Sequence, residues 1–81
     1  MTMTNLEVRV FNLIDQYASA KGFRLNTTPT IDASTKLWQF PFTDGQQVRL
    51  VPLFEEDLMR DARAGILSAD TKRKIDRELL L

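Results

Sequence analysis

The chain has 81 residues, 43% hydrophobic and 27% charged, which is ordinary globular composition with room for one domain and a modest core. Eleven basic and eleven acidic residues cancel, so no surplus of cations points to a generic polyanion partner. The absence of Cys and His removes disulfides, thiol nucleophiles, the usual zinc ligands and the side chain most used for proton transfer near neutrality.

The opening MTMTNLEVRV has no apolar stretch of signal-peptide length. No apolar run approaches the ~20 residues that span a bilayer. The expectation is a soluble cytoplasmic protein that does not enter a membrane.

A first helix is predicted over residues 5–21. Thr4 and Glu7 have capping-box spacing, and Leu6, Val10, Leu13, Ile14 and Tyr17 recur on one helical face with Phe11 at its margin. Gly22 follows as the left-handed residue that ends a helix, with Phe23 next to close the apolar contact. A short strand over 23–27 comes next, with Phe23 and Leu25 inward. The segment 26–35, rich in Thr, Ser, Asn and Asp, reads as a loop or a loop carrying a short irregular strand.

The central element is a β-hairpin from Trp38 to Leu53. Trp38, Phe40 and Phe42 alternate with Leu37, Gln39 and Pro41, the pattern of a strand with one buried face. A two-residue Asp44-Gly45 turn would set Phe40 opposite Arg49. A three-residue loop Thr43-Asp44-Gly45 pairs Phe40 with Val48 and Trp38 with Leu50, which gathers the strong apolar residues on one side. The second register is therefore expected. Pro41 lacks an N–H and suggests an edge strand or a bulge.

A second helix over 55–64 opens on Glu55, Glu56 and Asp57, where negative charge meets the positive end of the helix dipole, and buries Leu58, Met59 and Ala62. Gly65 stops it. Ser68 caps a third helix over 69–80, with Ile75 and Leu79 as a thin apolar stripe among Lys72, Arg73, Lys74, Asp76, Arg77 and Glu78. The expected fold is a single α+β domain over 1–81, in the order α-β-β-β-α-α, with a three-stranded antiparallel sheet. Helix one should cover the aromatic face, and the two C-terminal helices part of the other face, beside Leu37 and Val51.

No nucleophile elbow, Ser-x-x-Lys spacing or Gly-rich phosphate loop is present. Asp57 and Asp61 lie one helical turn apart. The simplest account is two solvated carboxylates beside Arg60 and Glu56, and a shared metal or proton would need further converging ligands. The two C-terminal helices invite comparison with a helix-turn-helix. Aligned on Gly65, Asp61 stands at a small-residue position and Thr71 and Lys74 at apolar ones, so the pattern fails where it is most specific. The basic residues of helix three are interleaved with Asp70, Asp76 and Glu78, as in a salt-bridged solvated face. The aromatic strand resembles a base-stacking platform only in its alternation, and helix one needs that face as its own core.

Protein binding remains. A sheet of few strands leaves edges open to a partner strand. Three terminal leucines exceed the needs of one small core, so Leu80 and Leu81 are candidate contacts, with Arg60, Arg63, Arg73 and Arg77 as a charged rim. The sequence thus points to a non-catalytic module, with no cofactor or metal, that binds another protein or a second copy of itself. A regulator, adaptor or inhibitor fits, including the accessory proteins that mobile elements encode. The alternative is a nucleic-acid-binding module using the basic third helix.

Overall fold

The structure is a computed structural model and describes residues 4–79. The element order is α1 (Asn5–Ser19), β1 (Arg24–Leu25), β2 (Thr30–Asp32), β3 (Leu37–Thr43), β4 (Val48–Phe54), α2 (Glu55–Ala64) and α3 (Ala69–Leu79). The class is α+β, as expected, but the sheet has four strands where three were anticipated. The additional strand is β2, the irregular piece of the 26–35 segment. All three of its residues are exposed, so no apolar alternation announces it.

Local signals account for the ends of α1. Thr4 Oγ1 accepts the Glu7 amide at 3.1 Å, and the same hydroxyl donates to the Glu7 carboxylate at 3.1 Å. At the far end the Phe23 amide donates to the Ala18 carbonyl and the Gly22 amide to the Ser19 carbonyl. This is a Schellman closure, and it needs the left-handed φ of +86° that Gly22 adopts without a Cβ clash.

β3 lies at the centre of the sheet. β4 pairs with it along its whole length, so β1 and β2 share its other side, lying end to end: β1 beside Phe42 and Thr43, β2 beside Leu37 to Gln39. Pro41 is therefore in a central strand, not at an edge. The Glu55 amide donates to the Lys36 carbonyl, which makes 36/55 a hydrogen-bonded pair and, by alternation, 41/50 and 39/52 non-bonded ones. The proline nitrogen of residue 41 thus faces the junction between β1 and β2. That of Pro52 faces the open side of β4. Neither proline removes a β3–β4 bond.

The hairpin register differs from the one expected. Thr43 pairs with Val48, Phe42 with Arg49, Phe40 with Val51 and Trp38 with Leu53, leaving residues 44–47 as a four-residue loop. Asp44 Oδ1 accepts the amides of Gln46 and Gln47 at 2.9 and 3.1 Å, which holds the longer loop closed. Val51 and Leu53 consequently point inward and are fully buried, whereas Val48 and Leu50 point outward.

Helix placement is also corrected. α1, α2 and α3 all pack on the aromatic side: Val10, Ile14 and Ala18, Leu58 and Ala62, and Ile75 and Leu79 join Trp38, Phe40, Phe42, Val51 and Leu53 in one core. Phe11 meets Trp38 and Phe40 edge-on, with ring centroids 5.6 Å apart in both pairs. Val51 needs no second layer, because the register turns it into this core. The opposite sheet face carries no helix among the described residues.

Candidate interaction surface

The arginines singled out from the sequence lie on α2 and α3, and two of them are held within the chain. Arg60 reaches Asp57 at 3.3 Å and Asp61 at 3.5 Å, and donates to Ser68 Oγ at 3.2 Å. Arg73 lies 3.9 Å from Asp70. Lys74 links the two helices, at 3.2 Å from Asp57 and 3.3 Å from Asp70. The chain Arg60–Asp57–Lys74–Asp70–Arg73 alternates in sign and ties α2 to α3. The two carboxylates hold the Lys74 ammonium above its ordinary pKa, chiefly through the Asp57 hydrogen bond.

Among the described residues, Arg63 and Arg77 make no ion pair. Arg63 borders an open hollow of about 450 Å³ with Lys36, Glu55, Glu56, Phe54 and Met59. Leu80 and Leu81 lie outside the described residues. The proposed rim is thus a set of exposed residues on two helices, and its two central members already have partners.

Asp61 is not the solvated carboxylate expected beside Asp57. It is 1% exposed, and its Oδ2 accepts the Ser68 amide at 3.2 Å and the Thr71 hydroxyl at 2.6 Å. Ser68 Oγ in turn accepts the Thr71 amide at 3.2 Å, which caps α3. Asp61 is therefore the floor of the α2–α3 junction, and no metal-binding group of three or more acidic residues occurs among the described residues.

The outer face of the sheet has the opposite character. Outward side chains stand in register pairs Thr43 with Val48, Pro41 with Leu50, Gln39 with Pro52 and Leu37 with Phe54. Val48, Leu50 and Phe54 are 52%, 54% and 52% exposed. Phe54, at the end of β4, also receives the Lys74 ammonium 5.9 Å from its ring centre. Contiguous exposure of large apolar side chains marks a binding surface more often than scattered single residues do. A signal for this face is present in the sequence. The run from Leu50 to Phe54 is apolar at both parities, so both sides of β4 ask for cover, and one helical layer can satisfy only one.

No helix among the described residues is long and apolar enough to cross a membrane. No family model, curated protein or solved structure matches this chain.

Proposed function

We propose that the chain is a non-catalytic protein-binding module that works through the outer face of its sheet. The observation that carries this reading is the outward row Val48, Leu50, Pro52 and Phe54, exposed on a strand whose inward residues Val51 and Leu53 are fully buried. A small domain that has completed one core does not keep such a row for stability, since exposed Leu and Phe contribute little to folding and raise the risk of aggregation. An apolar centre flanked by polar margins is the ordinary make-up of a protein interface. A regulator, adaptor or inhibitor acts through such a surface, and the cytoplasm is the compartment we assign to it. Nucleic-acid binding through α3 draws less support, because Arg73 and Lys74 are engaged with Asp70 and Asp57.

The test uses the immobilised full chain and nuclease-treated lysate of its source. A discrete protein, whether another chain or a second copy, should be retained by the wild type and by Arg73→Ala/Arg77→Ala, and lost from Leu50→Asp. Retention that survives Leu50→Asp, or that disappears with nuclease and with the arginine substitutions, would overturn the reading.

A further inference from the structure

We infer that the occupant of the outer sheet face is a second copy of this chain, stacked face to face about a two-fold axis that runs across the strands. The inference rests on the outer face being the binding surface and adds the identity and orientation of the partner.

Its basis is the distribution of charge. Register fixes which strand residues share the outer face. Arg24 pairs with outward Thr43, and Asp32 pairs with outward Leu37. Both are exposed, and among the described residues they are the only charged strand residues on that side; between them β3 and β4 present none. The strand residues thus give this surface an uncharged middle, one cation at one end and one anion at the other, with the Lys74 ammonium of α3 at its Phe54 corner, and that strand pattern is complementary to itself when turned end for end.

The topology then selects the axis. β1 and β2 lie on the same side of β3, so Arg24 and Asp32 occupy the two ends of one sheet margin. A two-fold axis across the strands at the level of Phe40 exchanges the levels of Thr43 and Leu37 and keeps each margin on its own side. Arg24 of each copy comes over Asp32 of the other, twice. Leu50 comes over Pro52, and Val48 over Phe54. An axis along the strands would instead set Arg24 and Asp32 over the apolar row of β4, burying both charges unpaired. Facing sheets lie ~10 Å apart with strands inclined by ~30°, a gap that the long stem of Arg24 spans while its head stays at the rim.

Edge-to-edge pairing of β4 is the competing way to join two copies. It is blunted by Pro52, whose nitrogen faces the open side and offers no hydrogen bond. Asp32 remains available to an arginine. Its Oδ1 closes the β2–β3 turn onto the Ser34 amide and hydroxyl and the Thr35 amide, while Oδ2 has no hydrogen-bond partner among the described residues and Asp32 is exposed.

Sedimentation equilibrium of the full chain over a concentration series tests this, with circular dichroism confirming that each variant folds. The wild type should dimerise, and Leu50→Asp should be monomeric. Arg24→Glu should weaken the dimer about 10- to 100-fold, since it sets like charges together at two places. The same substitution in an Asp32→Asn background, which keeps the turn acceptor, should weaken it only a few-fold further. A wild type that stays monomeric would overturn the inference, as would a dimer indifferent to Arg24→Glu or to Leu50→Asp. A monomer that still loses a different protein on Leu50→Asp would sink the second copy and spare the binding face. A dimer and a retained protein that both ignore Leu50→Asp would sink the two together.

Discussion

Thr71 Oγ1 donates a 2.6 Å hydrogen bond to Asp61 Oδ2, and both residues are 1% exposed. These are two of the three residues that break a helix-turn-helix pattern, and the structure sets them against each other. A carboxylate in the floor of the junction replaces the small residue that such a motif carries there, and a hydroxyl replaces an apolar contact. The α2–α3 pair is held by a buried polar network with no unsatisfied side-chain atom among the described residues.

That network has a measurable worth. Asp61→Ala removes the acceptor of the Ser68 amide and the Thr71 hydroxyl and leaves Arg60 without one of its partners. A loss of about 3 kcal/mol is expected, because buried donors left unpaired forfeit their desolvation energy. Thr71→Val should cost about 1–3 kcal/mol, as one carboxylate oxygen loses its shortest bond, and Thr71→Ser clearly less. Urea unfolding followed by the emission of Trp38, 3% exposed in the core, reads all three. An Asp61→Ala chain within about 0.5 kcal/mol of wild type, the range of ordinary surface changes, would contradict the buried network.

The hairpin register gives a second prediction and shows where sequence reading stopped. Leu53 is fully buried and Leu50 is 54% exposed, the reverse of what the Phe40–Val48 pairing would require. Leu53→Ala should destabilise the fold by about 2–5 kcal/mol, through lost transfer energy and the cavity left behind. Leu50→Ala should stay within about 0.5 kcal/mol. Equal losses at both positions, or the larger at Leu50, would mean that the strand has slipped.

Much of the fold was legible because it is periodic. The α1 stripe, the aromatic alternation of β3, the capping of α1 by Thr4 and the left-handed Gly22 are local patterns, and the structure has them all. What escaped depends on contacts no local pattern carries. Loop length is decided by the Asp44 carboxylate reaching the Gln46 and Gln47 amides, and this moves every pairing of β4. β2 is three exposed residues with no alternation to detect. Asp61 finds Thr71 across a glycine turn, ten positions on. The outer face is hidden for the same reason as the register: the Phe40–Val48 pairing puts Val48 and Leu50 in the core and leaves Leu37 and Val51 on the far side, where the two C-terminal helices are expected as cover.

Tyr17 offers the pH test. It is the only tyrosine in the chain, half-buried, and its hydroxyl donates to Asp76 Oδ1 at 2.7 Å, joining α1 to α3. Lys21 and Lys72 stand 5.0 and 5.8 Å from the ring centre, and their charge alone would favour the phenolate. Desolvation outweighs them, followed by the Asp76 bond and charge, and the phenol is pushed up to about 12 from an ordinary 10.0. The folded state therefore holds this proton after the unfolded chain has begun to lose it. Stability from this group is fully present below pH 10 and falls as the pH rises from about 10 to about 12. Ultraviolet absorbance of the phenolate should show the late titration directly. Asp76→Asn should bring it part of the way back, since burial remains as the larger cause. Tyr17→Phe should cost about 1–2 kcal/mol at neutral pH, the worth of a hydrogen bond to a charged acceptor. The same substitution should also make the decline above pH 10 shallower than in the wild type, which separates this proton from those of the lysines. A phenol that titrates at its ordinary value would mean that the α1–α3 contact through Asp76 does not form.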